Sequence, residues 1–276
     1  MNLEELPKDS IVLIIDADSI PYALIHQLSF KDIDGELQMP SFEKIQHTLD
    51  DYTLQLYQEV GATHVAGYFG KGKCFRYDVA KTKPYKGNRP EKTEFHKKWS
   101  QYMTEYMVQT RDFEYVNGIE ADDAVSILAT ECRKLGINFI ICSNDKDVDT
   151  VWGNHYSMNK RQFYFISEEQ ASLLLHTQYI TGDTTDNIPG LPGKGKVYAN
   201  KLLDKKPIDK HMSSVIWAYK QYCPLTIPLS MEYLEEQKTL LTMLTCHEGF
   251  LPLCHAIDKS LYSISQEDSS LELMGL

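Results

Sequence analysis

Apolar residues arrive along this chain in two rhythms, and the switches between them mark alternating strands and helices. Residues 10–16 hold the unbroken run Ile11-Val12-Leu13-Ile14-Ile15, closed by Asp16. A β-branched run without polar interruption predicts a parallel strand buried on both faces. A helix is predicted from Ser19. Residues 41–60 carry a helical pattern, with Ser41 placed to cap its start and Gly61 to stop it. Thr63 to Phe69 reads as a second strand and Phe113 to Val116 as a short third one. Between them, Phe95, Trp99, Tyr102, Met103 and Tyr106 recur at helical spacing within 92–110. The Gly/Pro-punctuated stretch 71–91 has no clean period and is predicted to be a mobile loop.

The clearest helix covers 120–135. Val125, Leu128, Ala129, Cys132 and Leu135 form one apolar stripe, and Gly136 ends it. A strand at 137–143 follows at once. From about 178 to 255 the pattern is largely helical, which predicts a second, helical lobe. The Ser/Glu-rich tail from Asp258 is expected to be loosely ordered. Alternation of strand and helix predicts an α/β fold with a mainly parallel sheet and right-handed crossovers. Ligands of such sheets bind outside the carboxyl ends of the strands.

Size and composition narrow the class. The 276 residues suffice for one large α/β domain, or a core with a smaller lobe. No run of 18 apolar residues predicts a membrane span, and the start lacks the basic and apolar regions of a signal peptide. The six cysteines contain no Cys-x-x-Cys pair, which argues against a zinc ribbon or disulfide framework and suits a reducing cytoplasm. The nine histidines show no His-Glu-x-x-His spacing.

Charge is unevenly spread. The net charge is −11, yet residues 71–98 hold ten basic residues against Asp78, Glu91 and Glu94. That segment carries +7 and leaves −18 on the rest. Local field matters more than net charge for steering a polyanion.

Eight carboxylates fall in four tight groups where strands end or helices begin. Asp16 closes the first strand. Glu120, Asp122 and Asp123 open the clearest helix. Asp145 and Asp147 follow the strand Phe139-Ile140-Ile141-Cys142. Asp183 and Asp186 open the Gly-Pro-rich stretch from Gly182 to Gly195. One or two acids at a helix start would answer the helix dipole alone. Asp18 and Asp149 read equally well as ligand neighbours or as surface acids. So many acids at one end of a sheet would repel each other unless divalent cations sat among them. Eight imply two or more ions, and paired ions bound by oxygen are the usual apparatus for cutting phosphodiesters.

The stretch Gly190-Leu191-Pro192-Gly193-Lys194-Gly195-Lys196 adds a glycine-rich hairpin between helices. Glycines let backbone N–H groups approach a phosphate, and a helix N-terminus adds a favourable dipole. No Gly-x-x-x-x-Gly-Lys-Ser/Thr occurs, so a Walker loop is excluded.

These motifs, together with Tyr85-Lys86-Gly87-Asn88-Arg89, stand in an order that resembles the 5′-nuclease family over roughly residues 10–205. That family includes flap endonucleases, phage 5′–3′ exonucleases and the 5′-nuclease domain of bacterial DNA polymerase I, and the compact length is most similar to the stand-alone phage enzymes. The resemblance implies a Rossmann-like, PIN-like core over 1–178, with a basic arch at about 71–110. It implies a helical duplex-binding lobe over 179–255, with a helix–three-turn–helix at about 182–206, and a tail over 256–276. It implies that Asp16, Glu120, Asp122, Asp123, Asp145, Asp147, Asp183 and Asp186 hold two or more Mg²⁺ or Mn²⁺ ions. Lys86 and Arg89 would face the scissile phosphate, and Tyr85 would stack on a base. Lys83, Gly190, Gly193, Lys194, Gly195 and Lys196 would contact DNA, with a potassium ion at the hairpin. DNA with 5′ flaps or 5′ ends is the implied substrate, RNA primers in RNA–DNA hybrids a further one, and a cytoplasmic monomer the implied state.

One departure stands out. Relatives often carry an acid after the second strand, and here the stretch reads Tyr68-Phe69-Gly70-Lys71. Either a metal-site contact is lost or Asp18 supplies it. Two rival functions share part of this pattern. A PIN-type ribonuclease would need neither the Gly190–Gly195 hairpin nor the Tyr85–Arg89 motif. A non-catalytic junction-binding protein would have lost several of the acids.

Overall fold

The computed structural model describes residues 2–250 and 252–258. Its centre is a seven-stranded sheet. The strands and helices run β1 (Ile11–Asp16), α1 (Ser19–Leu28), a small hairpin β2 (Phe30–Lys31) and β3 (Leu37–Gln38), and α2 (Phe42–Val60). There follow β4 (His64–Cys74), α3 (Arg76–Val79), α4 (Glu94–Thr110), β5 (Phe113–Gly118), α5 (Ala121–Leu135) and β6 (Asn138–Cys142). A 3₁₀ turn (Lys146–Thr150) leads into β7 (Gly153–Ser157), β8 (Gln162–Ile166) and α6 (Glu168–Thr181). The chain then becomes helical as α7 (Lys196–Leu203), α8 (Ile208–Tyr222) and α9 (Ile227–Leu241), before β9 (His255–Ala256).

The main sheet order is β5-β4-β1-β6-β7-β8, with β9 beside the start of β4. Pairings β5·β4, β4·β1, β1·β6 and β6·β7 are parallel. In this sheet, among the described residues, β7·β8 and β4·β9 are the antiparallel pairs. The expected mainly parallel α/β fold is therefore the observed one.

Alternation along β1 explains the layering. Leu13 and Ile15 join a core with residues of α1, α2 and α4 on one face. Val12 and Ile14 point to the other face and pack with α5. A strand covered on both faces has no polar side to show, hence the continuous apolar run. A separate apolar cluster joins Tyr179, Ile180, Leu191, Ala199, Tyr219 and Leu234 in the helical region from α6 to α9.

The helix signals read correctly at three ends. Ser41 Oγ accepts a hydrogen bond from Lys44 N at 3.3 Å. Gly61 and Gly136 both close helices in the left-handed region, with φ of 67° and 69°. Three expectations need correction. Leu135 is not part of the buried stripe of α5, because it lies in the last turn and is exposed. The hairpin β7–β8 has no counterpart in the sequence reading; its strands mix polar and aromatic residues and are only part-buried. Residues 71–91 are not a free loop. β4 runs on to Cys74, α3 follows, and Glu236 accepts from Lys81 N and Thr82 N at 2.8 Å each. The tail from 259 lies outside the described residues.

Candidate active site

The parallel strands deliver acids to one edge. Asp16 is the last residue of β1, Glu120 caps α5 just after β5, and Asp145 follows β6. Asp183 and Asp186 come to the same place from beyond α6. A cavity of about 30 Å³ brings Glu120, Asp122, Asp147, Asp183 and Asp186 together beside Arg76. That is room for about one water-sized occupant. Among the described residues, Glu120, Asp122 and Asp123 form the one group of three candidate metal ligands with atoms within 4.8 Å of one another.

Asp16 lies on the inner side of this cluster, where Ser143 Oγ donates to its Oδ2 at 2.9 Å. The same Ser143 oxygen accepts from Asp145 N at 2.9 Å, so one hydroxyl links the Asp16 carboxylate to the backbone of Asp145. Burial, with the charges of Asp18 and Asp145, pushes the Asp16 carboxyl up to about 7. Burial and the neighbouring Asp145 and Asp183 raise Asp147 to about 7 as well. Asp122 is raised well above the usual carboxylate range by burial, then by Asp123 and Glu120. Its Oδ1 is a buried atom with no hydrogen-bond partner. A buried carboxylate oxygen left unmatched is costly unless a cation or proton answers it. The donor set is all oxygen, which suits a hard divalent cation.

Cations already answer part of the cluster. Lys86 Nζ pairs with Glu120 and lies 3.7 Å from Asp186 Oδ2. Arg89 pairs with the other oxygen of Asp186. Burial pulls the Lys86 ammonium down, but Glu120 and Asp186 outweigh it and hold the pKa above its ordinary value. The segment bearing this pair is laced to the 182–190 stretch. Lys86 N donates to Asp186 O at 2.9 Å, Asn88 Nδ2 to Thr184 O at 2.7 Å, and Asn187 Nδ2 to Pro84 O at 2.9 Å.

The structure places several sequence-predicted residues differently. Tyr85 is buried at 4% exposure. Its hydroxyl oxygen lies 2.7 Å from Glu120 Oε2 and 2.8 Å from Asp186 Oδ2, so its one proton is shared between the two carboxylates. Its ring packs edge-on against Tyr77, so it offers no open face on which a base could stack. Gly190 is interior too. Its N–H donates to Gln237 Oε1 at 3.0 Å and its carbonyl accepts from Tyr233 at 2.8 Å, leaving nothing for a phosphate. Gly190 is a glycine because a Cβ there would meet Gly182 N at 2.2 Å. Gly193, Gly195 and Lys196 are exposed, as is Lys83. Lys194 Nζ lies over the rings of Tyr222 and Tyr198, at 3.8 and 4.8 Å.

Asp123 is fully buried and its oxygens are occupied. Arg76 grips both of them, and Leu244 N and Glu120 N also donate, at 3.0 and 3.1 Å. In this arrangement Asp123 fixes the start of α5 and faces Arg76. Sequence reasoning counted Arg76 only as one more basic residue. It also missed Gln178, whose Nε2 donates to Asp147 Oδ1 at 2.6 Å, and Ser143. Ser143 and Gln178 each stand a few residues from an acidic motif, which was the only signal available.

The chain matches the family model described as 5′–3′ exonuclease, N-terminal resolvase-like domain, over residues 11–177. It belongs to that family. It is 25% identical over 213 residues to DNA polymerase I of Bacillus caldotenax, covering 70% of this chain and 23% of the polymerase. It is 32% identical over 103 residues to a 5′–3′ exonuclease of Buchnera aphidicola, covering 33% of this chain and 35% of that protein. The chain thus spans about a quarter of the length of the polymerases it matches. In fold it is similar to a bacteriophage T5 protein co-crystallised with metal ions. The TM-score is 0.61 at 18% identity, over 84% of this chain and 89% of the other. It is likewise similar to the T5 flap endonuclease in a pseudo-enzyme–product complex with DNA and metal ions. There the TM-score is 0.56 at 19% identity, over 83% and 89% of the two chains.

Proposed function

We propose that the chain is a structure-specific, divalent-metal-dependent 5′ nuclease that hydrolyses phosphodiester bonds near 5′ ends and at junctions of single strand with duplex DNA. The observation that carries this is the cavity where five acids from three separate segments meet, with Lys86 and Arg89 paired to Glu120 and Asp186 of that set. The orphaned Asp122 Oδ1 and the all-oxygen donor set fit a hard cation there. Asp16, Glu120, Asp122, Asp145, Asp147, Asp183 and Asp186 would hold two or more Mg²⁺ or Mn²⁺ ions, with Asp123 behind them. When bound, the ions supply nucleophile activation and charge neutralisation for an in-line displacement.

The protein's own groups do the rest. Lys86 and Arg89 stand where they can balance charge that grows on the phosphoryl oxygens. Tyr85 orients Glu120 and Asp186 through the one hydroxyl that both carboxylates contact. Arg76 and Asp123 lock the start of α5, so Glu120 and Asp122 are held in place before substrate arrives. In this reading residues 1–178 form the nuclease core with its basic segment, and the helical part of 179–255, through α9, forms a lobe for the duplex before the chain returns to the core sheet at β9. The exposed Gly193 and Gly195, with Lys194, Lys196 and Lys83, would meet the DNA backbone, the hairpin acting as a helix–three-turn–helix with a potassium ion. The substrate would be DNA with 5′ flaps or ends, RNA primers in hybrids included, cut by a cytoplasmic monomer.

The test is digestion of a 5′-labelled flap, a matched RNA flap and a blunt duplex with Mg²⁺, with product lengths read on a gel. Short 5′ products from the DNA substrates, abolished by EDTA, are expected. Cleavage of the RNA flap alone would replace this reading with a PIN-type ribonuclease. Tight flap binding without cleavage would replace it with a junction-binding protein.

A further inference from the structure

We propose that Asp18 gives the metal centre a carboxylate at the place where β4, just past the end of β1, offers only Gly70. The inference rests on the reading of the acid cluster as a metal centre.

β1 and β4 run side by side in parallel, with Asp16 opposite Tyr68. Ala17 N donates to Tyr68 O at 3.0 Å, which carries the pairing one residue further. Asp18 and Gly70 meet just beyond. Gly70 N donates to Asp18 Oδ1 at 3.0 Å. A Cβ built on Gly70 would stand 3.2 Å from Asp18 Oδ2 and 4.0 Å from Oδ1. The carboxylate of Asp18 therefore occupies the space that a side chain at position 70 would enter.

Three observations fix the direction of this exchange. First, Gly70 is not among the residues with positive φ, so its backbone does not require glycine. What the site uses is the missing side chain. Second, Asp18 stands at the N-cap of α1 yet makes no side-chain capping bond there. A helix-capping role, the ordinary reason for an aspartate at that position, is absent. The side chain reaches instead across to β4. Third, the same spot adjoins the start of α5, which carries Glu120 and Asp122. The next atom near the Gly70 Cβ position is Ala121 N, at 3.8 Å, in the first turn of α5 between Glu120 and Asp122. Asp18 N also lies 3.4 Å from Asp16 Oδ1, so the two aspartates share one turn at the end of β1.

Mn²⁺ binding by the full chain without DNA, followed by calorimetry and electron paramagnetic resonance, tests this directly. Asp18→Ala is expected to weaken Mn²⁺ binding about 10–100-fold, the loss typical when an acid that supports a metal is removed. Adding Gly70→Asp to Asp18→Ala is expected to restore most of the affinity, because the vacated space then admits a carboxylate from β4. Circular dichroism checks that each variant is folded. If the wild-type chain binds no Mn²⁺, the metal-centre reading fails and this inference with it. If the wild type binds Mn²⁺ and folded Asp18→Ala binds it equally well, only the role of Asp18 fails. A double variant no better than Asp18→Ala would also overturn the exchange of the two positions.

Discussion

Arg76 holds Asp123 by both oxygens: Nη1 reaches Oδ2 at 2.5 Å and Nη2 reaches Oδ1 at 2.8 Å, with both side chains buried. The same guanidinium donates to the carbonyls of Leu240 and Thr242 at 3.0 Å each and touches Glu120 Oε2 at 3.2 Å. It thus ties α3, the start of α5 and the end of α9 to one point behind the acids. Removing one partner of such a pair leaves the other charge buried and unmatched. Arg76→Ala is expected to destabilise the fold by about 3–5 kcal/mol. Arg76→Lys should recover only part, because an ammonium cannot match the fork. Urea denaturation measures both; a loss under about 1 kcal/mol for Arg76→Ala, no larger than a surface pair gives, would rule this anchor out.

Lys86 should show a different signature. Its charge is proposed to act on the developing phosphoryl charge, and only interactions stronger in the transition state raise the rate. Lys86→Ala is expected to lower single-turnover cleavage by on the order of 10²–10³ while flap affinity changes much less. Affinity that falls in step with the rate would make Lys86 a phosphate tether.

The acids were legible in the sequence because they sit at ends of elements that the apolar rhythm locates. Asp16 and Asp145 could be placed at strand ends without a structure, since β1 and β6 are continuous apolar runs. What could not be read is which groups are spent on each other. Arg76 is one of many basic residues in its segment, and only tertiary packing sets it, buried, against Asp123. Tyr85 looks like a stacking aromatic from its motif, but its hydroxyl is claimed by Glu120 and Asp186 and its ring by Tyr77. The β7–β8 hairpin is not legible because β7 carries Gly, Asn, His and Ser among its five residues and the edge strand β8 is largely exposed, so neither shows a strong alternation.

The glycines of the hairpin should divide into two kinds. Gly190 is held at φ 65° against Gly182, and a Cβ there would meet backbone at 2.2 Å. Gly190→Ala is expected to cost roughly 2–6 kcal/mol through overlap and left-handed strain, seen as a lower midpoint in urea. Gly193 has φ 71° and open space around it. Gly193→Val should cost only about 1–3 kcal/mol of strain and act mainly on duplex affinity, with saturating substrate restoring much of the turnover. A folded Gly193→Val protein with unchanged flap affinity would falsify the hairpin as a duplex clamp.

The raised acids make stability depend on pH when no metal is bound. Asp16 and Asp147 are pushed up to about 7 in the folded protein, against 3.8 in the ordinary state. Between these values the folded state keeps protons that the unfolded chain releases, so the folded state loses ground as pH rises. The penalty is absent below about 4 and complete above about 7. Asn imitates the protonated form and relieves it. In EDTA, Asp16→Asn is therefore expected to raise the melting temperature at pH 8, with a gain of about 1–4 kcal/mol that shrinks towards pH 4. Mg²⁺ should reverse the ranking at pH 8, because it stabilises the wild-type carboxylate and finds a weaker ligand in the variant. Thermal melts of both proteins from pH 4 to 8, with and without Mg²⁺, read this out. A wild-type protein in EDTA that is most stable at pH 8, with no gain from Asp16→Asn, would show that the cluster is neutralised by Lys86, Arg89 and Arg76 alone.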